Sequence, residues 1–133
     1  IFEKGENILI VDENYKNLRV EVDEKDKAHI IGVKDDGSHV GVDAMSDGTR
    51  DQLYLAIRLA AIKEMAIKNP SKLFPFVGDD ILVNFDGARE TAALDVLNEF
   101  SKTTQVLIFT HHEHLVGASM DLLGEDNFML HRL

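Results

Sequence analysis

The periodicity of the apolar positions changes near residue 45 and divides the chain into two parts. In the first part, short apolar segments are separated by acidic and glycine-containing turns, and residues 18–22 alternate apolar and polar side chains. This alternation is typical of half-exposed antiparallel strands. The pattern predicts an antiparallel strand meander over residues 1–44, with strands at 8–11, 18–22, 29–33 and 39–42.

From residue 45 onward, apolar residues recur at helical spacing or in short continuous runs. Residues 50–68 carry one apolar stripe, and Ser46 or Asp47 can cap that helix by accepting hydrogen bonds from its first N–H groups. From Phe74 onward strands and helices alternate, which predicts an α/β fold: a parallel sheet with flanking helices. The predicted strands are a buried one at 74–78 and others at 106–109 and 128–130, and the predicted helices cover 93–100 and 113–123.

The composition is that of an ordinary soluble globular protein, with 44% hydrophobic and 29% charged residues. A formal net charge of -10 argues against a non-specific DNA-binding surface on this chain, because phosphate neutralisation needs clustered Lys and Arg. The absence of Cys excludes disulfides and zinc-thiolate sites. No segment approaches the ~20 apolar residues of a membrane span, so we expect a cytoplasmic protein with no membrane partner.

Charged and polar residues follow two of the predicted parallel strands. Asp79 and Asp80 come directly after the apolar run at 74–78, and His111 follows the run at 106–109. Ligands of parallel sheets gather beyond the carboxyl ends of the strands, so these side chains are expected to face one small site. One carboxylate can hold a hydrated magnesium ion, a second can orient an attacking water, and the imidazole can contact a phosphate oxygen. The residues therefore indicate phosphoryl-transfer chemistry.

Three segments, which follow one another along the chain in the order that the family has them, resemble motifs of ATP-binding cassette ATPases. Residues 79–86 resemble a Walker B strand end followed by a D-loop, residues 45–49 resemble the signature motif at the start of a long helix, and Thr110-His111 resembles the switch-histidine loop. A helix lies in each proper interval. The chain over 45–133 is thus similar to the C-terminal lobe of an SMC- and SbcC-like, YhaN-like ATPase head, with 1–44 as a strand-rich lead-in to a single lobe.

The resemblance implies ATP and Mg²⁺ as cofactors of the complete head, and it implies roles for the residues at the sheet edge. Asp79 would position the metal, usually through water. Asp80 would polarise the attacking water, although most of the superfamily has the longer Glu there. His111 would contact the γ-phosphate.

The resemblance also implies contacts with a second ATPase head, which would make the working unit a homodimer. Ser46 and the backbone N–H of Gly48 would meet the γ-phosphate bound to that second head, helped by the positive end of the following helix. Asp86 would belong to the D-loop across the interface. Asp47 replaces a family glycine, and an extra carboxylate beside a phosphate is unfavourable. We therefore expect Asp47 to point away or to pair with Arg50.

The loop Gly-x-x-x-x-Gly-Lys-Ser/Thr, which cradles phosphates in P-loop ATPases, does not occur in the 133 residues. The resemblance implies that this Walker A loop lies in an N-terminal lobe, joined through a long coiled coil, and that the lobe is the partner of this chain. It also suggests DNA repair or chromosome maintenance, with DNA as a partner of the larger protein. The isolated chain is expected to be inactive.

Two other functions are compatible with the same residues. A degenerate head could serve as a non-hydrolysing scaffold or dimerisation module, because both Asp47 and Asp80 depart from the family pattern. Alternatively, Asp79, Asp80 and His111 could form a stand-alone metal-dependent phosphohydrolase that needs no partner.

Overall fold

The computed structural model describes residues 15–71 and 73–132 of the chain. It shows an antiparallel meander followed by a parallel strand pair with helices. This agrees with the predicted fold class. The strands and α-helices are β1 (Asn17–Val22), β2 (Ala28–Val33), β3 (His39–Gly41), α1 (Asp47–Lys68), β4 (Phe76–Asp79), α2 (Gly87–Ser101), β5 (Val106–Phe109) and α3 (Glu113–Leu123). Short 3₁₀ turns cover Val42–Ala44 and Glu125–Asn127.

The meander pairs β1 with β2 and β2 with β3, both antiparallel. Its first turn is closed by the carboxylate of Asp23, which accepts hydrogen bonds from the backbone N–H groups of Lys25 and Lys27 at 2.8 and 3.0 Å. In the second turn Gly37 adopts a φ of 81°, a left-handed conformation that glycine reaches without steric cost. The predicted strand at 8–11 lies outside the described residues.

The core forms where the helices pack on one face of the parallel pair. Leu55 and Leu59 of α1 belong to the same buried cluster as Phe76 of β4 and Phe100 of α2. Phe76 is 1% exposed, and its ring meets Phe100 edge to face with centroids 6.3 Å apart. Edge-to-face contact suits the quadrupoles of two aromatic rings. This cluster fixes the strand that leads into the acidic residues. Within 15–71 and 73–132, no helix combines the length and apolarity needed to cross a membrane.

The other face of the parallel pair is open. Val77 lies opposite Leu107, and Asp79 lies opposite Phe109, so these four side chains share one face. Val77, Leu107 and Phe109 are 45%, 37% and 47% exposed. The prediction of a fully buried strand at 74–78 is therefore wrong in the described part of the chain, because the helices cover only the face that carries Phe76. An apolar face of this kind is where a further layer of structure can pack.

The predicted strand at 128–130 is also wrong. After α3 the chain makes a 3₁₀ turn that ends at an extended Phe128, and residues 128–130 form no strand within the described ranges. Within the described ranges the parallel sheet consists of β4 and β5, and Met129 and Leu130 remain 82% and 41% exposed. An apolar run becomes a strand only where a neighbour accepts its backbone hydrogen bonds.

Replacement of a core leucine of α1 tests this account of the packing. Leu59 is 2% exposed, so Leu59→Ala should lower the free energy of unfolding by about 2–5 kcal/mol. Met65 lies on the same helix and is 54% exposed, so Met65→Ala should change it by less than about 0.5 kcal/mol. Urea denaturation followed by circular dichroism measures both. Equal losses for the two variants would contradict the assigned inner face of α1.

Candidate functional site

The carboxyl ends of β4 and β5 bring Asp80 and His111 together. Asp80 follows the last residue of β4, and its backbone N–H donates to the carbonyl oxygen of Phe109 at 2.9 Å. This bond extends the parallel ladder by one residue. The φ of Asp80 is 48°, in the left-handed region that Asp tolerates better than most residues. The chain therefore turns sharply at Asp80, where the strand ends.

The side chains of Asp80 and His111 are hydrogen-bonded. Asp80 Oδ2 lies 2.6 Å from His111 Nδ1, and the His111 N–H reaches Asp80 Oδ1 at 3.4 Å. Partial burial acts to raise the pKa of the Asp80 carboxyl, but hydrogen bonds from Thr110 and His111 stabilise the charged form and hold that pKa below its usual value. The prediction that the two strand ends face one site is confirmed for this pair.

Asp79 occupies a different position from Asp80. It is the last residue of β4, it is exposed, and it shares the open face of the sheet with Phe109. The two adjacent carboxylates therefore differ in environment, one solvent-facing and one held by an imidazole. Their implied roles in metal binding and water activation stay predictions.

The segment that resembles the signature motif forms the start of α1. Ser46 is the N-cap: its Oγ accepts from the Thr49 N–H at 3.2 Å, and the two hydroxyl oxygens lie 2.8 Å apart. The predicted cap is therefore confirmed at Ser46. Asp47 forms an ion pair with Arg50, which confirms one of the two positions expected for its carboxylate.

Gly48 packs against the segment that resembles the D-loop. A Cβ at this position would lie 2.6 Å from the carbonyl oxygen of Asn84 and 2.8 Å from Arg89 Nη1. Beside this contact, the Asn84 side-chain amide donates to Asp51 Oδ2 at 2.7 Å. The first turn of α1 and residues 80–86 are therefore in close contact, although more than 30 residues separate them along the chain.

Asp86 caps α2. Its Oδ1 accepts from the Arg89 N–H at 3.0 Å. The Arg89 guanidinium lies 3.9 Å from Asp86 Oδ2 and 3.4 Å from Thr49 Oγ1. Arg89 thus joins the D-loop-like segment to the signature-like turn, a role that the sequence did not suggest. The sequence signal for Arg89 was its position three residues after Asp86, because a capping Asp accepts a hydrogen bond from the N–H at that position.

Two further histidines follow β5, one at the N-cap of α3 and one in its first turn, and the motif resemblance implied no role for either. His112 is the N-cap residue of α3, and its N–H donates to Thr110 Oγ1 at 3.1 Å. His114 Nε2 lies 2.9 Å from Oε2 of Glu90, a buried residue in the first turn of α2. The rings of His111 and His112 have centroids 4.0 Å apart. The contact between Glu90 and His114 could not be predicted from the sequence, because it forms only when α2 packs against α3.

Two curated relatives match most of this chain. The uncharacterized protein YhaN of Bacillus subtilis is 37% identical over 111 residues, which make up 82% of this chain and 11% of YhaN. The DNA double-strand break repair Rad50 ATPase of Sulfurisphaera tokodaii is 31% identical over 101 residues, or 75% of this chain and 11% of that protein. The chain therefore spans 11% of the length of these relatives. No protein-family model matches it.

Solved structures share the fold. One, from a study of ATP-driven dimerization and DNA-stimulated activation of SMC ATPases, aligns with a TM-score of 0.54 at 18% identity, over 82% of this chain and 66% of that chain. The Smc head domain of Pyrococcus furiosus, with an extended coiled coil and bound to the C-terminal domain of ScpA, aligns with a TM-score of 0.53 at 20% identity, over 77% of this chain and 25% of that chain.

Fold and sequence together define the class of this chain: it is related to the C-terminal region of SMC- and SbcC-like ATPase heads. Within that class, its sequence relatives are YhaN and the Rad50 ATPase. The resemblance suggested by the three sequence motifs is thereby confirmed.

Alanine at position 48 should disturb the contact between the two motif segments. The added Cβ meets a backbone carbonyl at 2.6 Å, so we expect Gly48→Ala to destabilise the fold by about 1–3 kcal/mol. Gly117 is the matched control: it lies within α3 and has nothing within 4 Å of its Cβ position, so Gly117→Ala should stabilise the fold by about 0.5–1 kcal/mol. Thermal denaturation measures the midpoint temperature of both variants. An equal rise in this temperature for the two would refute the close approach of Gly48 to Asn84.

Removal of the imidazole should be detectable at the Asp80 carboxyl. In His111→Ala one hydrogen bond to the carboxylate is lost, so the pKa of Asp80 should rise toward its usual value. Because that pKa is depressed in the folded state, the carboxylate contributes stability above its unfolded pKa, and this contribution is lost as pH falls through the folded pKa. Carbon-detected NMR titration measures the shift, with His114→Gln as the control. An unchanged Asp80 titration in His111→Ala would contradict the assigned bond.

Proposed function

We propose that this chain is the C-terminal part of an SMC-like ATPase head that binds and hydrolyses ATP between two heads. The observation that carries the proposal is the hydrogen-bonded pair of Asp80 and His111 at the ends of two parallel strands. Phosphoryl transfer is achieved mainly by positioning and electrostatics, and this edge holds a carboxylate and an imidazole in fixed relation. The relatives add that one of them is a DNA double-strand break repair ATPase.

The carboxylates at the edge fit an ATP-bound magnesium ion. Asp79 is exposed at the end of β4, and an exposed carboxylate can hold a cation that keeps several of its waters. When bound, Mg²⁺ neutralises charge on the phosphates. Asp80 instead orients His111 through Nδ1, and the ring's Nε2 is then the nitrogen directed to a phosphate oxygen or a water. The His111 side chain is 73% exposed, so a ligand can reach it.

The start of α1 fits the phosphate of a nucleotide bound to a second head. Ser46 is exposed and stands at the N-terminus of a 22-residue helix, whose positive end favours an anion. Asp47, whose carboxylate is unfavourable beside a phosphate, is paired with Arg50. Its carboxylate is therefore partly neutralised before a phosphate approaches. Asp86 is 64% exposed beside the same turn and is proposed to face the second head.

The open face of the parallel pair supports an N-terminal Walker A lobe as the partner. Val77, Leu107 and Phe109 leave an apolar surface beside Asp79. A lobe that packed on this face would cover the apolar surface, and strands that it added to the sheet would bring the phosphate-cradling loop to the same edge. In the proposed full-length protein, DNA is the further partner, in repair or chromosome maintenance.

One observation favours a second function. The Asp80 carboxylate, which would activate water directly in a hydrolysing head, is held by His111 at 2.6 Å. A head that closes on ATP without hydrolysing it, and so acts as a dimerisation scaffold, is compatible with this arrangement.

Asparagine at position 80 separates the two functions in the complete protein. Asp80→Asn keeps the size of the side chain but removes the negative charge beside the His111 imidazole, so ATP turnover should fall by at least about 100-fold. ATP-dependent dimerisation, followed by light scattering, should persist because no nucleotide contact is removed.

Asp95→Asn, an exposed substitution on α2, is the matched control and should turn over ATP as the wild type does. Unchanged turnover in Asp80→Asn would refute the assigned role of the pair. A wild-type protein that dimerises with ATP but never hydrolyses it would support the scaffold instead.

A further inference from the structure

A second set of donor atoms shares the edge at Asp80. One donor atom each from Asp80, His111 and His112 lies within 4.8 Å of the other two. The closest pair is Asp80 Oδ2 and His111 Nδ1, at 2.6 Å. The ring of His112 lies beside that of His111, with an angle of 35° between the planes. Two imidazoles and one carboxylate thus each place a donor atom near enough to the others to share one ion.

The ring of His112 provides an independent observation. Its Nε2 is buried and has no hydrogen-bond partner among the described residues. Buried polar atoms are paired in most native structures, and one that is not calls for a ligand, an ion or a water. By contrast, the neighbouring His114 has its Nε2 at 2.9 Å from Glu90. His112, which belongs to the donor set, thus also carries a buried ring nitrogen that no described residue satisfies.

We propose that Asp80, His111 and His112 form a binding site for a divalent transition-metal ion of the Zn²⁺ type, distinct in chemistry from the Mg²⁺ that accompanies ATP. Imidazole nitrogen suits Zn²⁺, Co²⁺, Ni²⁺ and Fe²⁺, whereas Mg²⁺ takes oxygen ligands and dehydrates reluctantly. Two imidazoles and one carboxylate leave open positions on such an ion. Binding through His111 Nδ1 requires that nitrogen to give up its proton, which passes to Nε2 of the same neutral ring, so that Asp80 Oδ2 and His111 Nδ1 both offer lone pairs to the ion.

An occupied site has a regulatory consequence, which rests on the proposed ATPase function. In the proposed head Asp80 orients His111 through Nδ1, and a metal bound to both atoms replaces that hydrogen bond, so the carboxylate no longer fixes the ring that faces the nucleotide. Occupation should therefore inhibit turnover, even with Mg²⁺ and ATP in excess.

Cobalt tests the binding without any nucleotide. Co²⁺ is added to the full-length protein with excess Mg²⁺ present to fill the oxygen sites, and visible absorption reports nitrogen-ligated Co²⁺. Wild-type protein should show this absorption, and His112→Gln should weaken the affinity at least about tenfold. His114→Gln, which retains a donor to Glu90, should bind as the wild type does. Circular dichroism confirms that each variant is folded.

Wild-type protein without the absorption, or a folded His112→Gln that binds cobalt as tightly as the wild type, would overturn the site. The second arm measures ATP turnover with added Zn²⁺. Inhibition that a chelator reverses, and that His112→Gln weakens, supports the regulatory role. Cobalt binding in a protein without ATPase activity would refute the proposed function and leave the metal site standing.

Discussion

The parallel pairing of β4 with β5 is the constraint on which the candidate site depends. Because Asp79 lies opposite Phe109, the chain leaves both strands at the same edge. The Asp80 N–H then bonds to the Phe109 carbonyl, and the left-handed turn at Asp80 ends the strand there. Phe76, buried under α2, holds β4 in place. Apolar packing on one side of the sheet thus sets the distance between two polar side chains at its end.

The first turn of α2 connects the remaining parts of the site. Arg89 contacts Thr49 at the start of α1, and Glu90 on the following position bonds to His114 at the start of α3. Asp86 caps the same turn. The signature-like segment, the D-loop-like segment and the start of α3 therefore meet at one helical turn, where a buried carboxylate and a guanidinium bond to groups of both neighbouring helices. A rearrangement of this turn must alter the contacts on both sides.

The sequence predicted the fold well where local patterns decide the structure. β5 and α3 have their predicted bounds, and Ser46 caps α1 as expected. The predictions were wrong where the structure of a segment depends on a neighbouring element. In the described structure, residues 128–130 have no strand to pair with, and no layer covers Val77. Within the site, the meeting of Asp80 and His111 followed from strand order. Arg89 and Glu90 could not be predicted, because their roles depend on how α1, α2 and α3 pack together.

Aspartate at position 80 is paired with His111, and the geometry of this pair bears on the role proposed for the carboxylate. The Asp80 side chain is 31% exposed and that of His111 is 73% exposed, with 2.6 Å between their bonded atoms. The carboxylate therefore lies behind the imidazole, and an approaching phosphate or water meets the ring first. In the proposed head, the His111 imidazole contacts the water or phosphate that the shorter aspartate side chain does not reach. The carboxylate then acts by fixing the ring's orientation and proton, as the acid does in other carboxylate–imidazole pairs. In the proposed head, an aspartate at this position would therefore act through His111 rather than on the water itself.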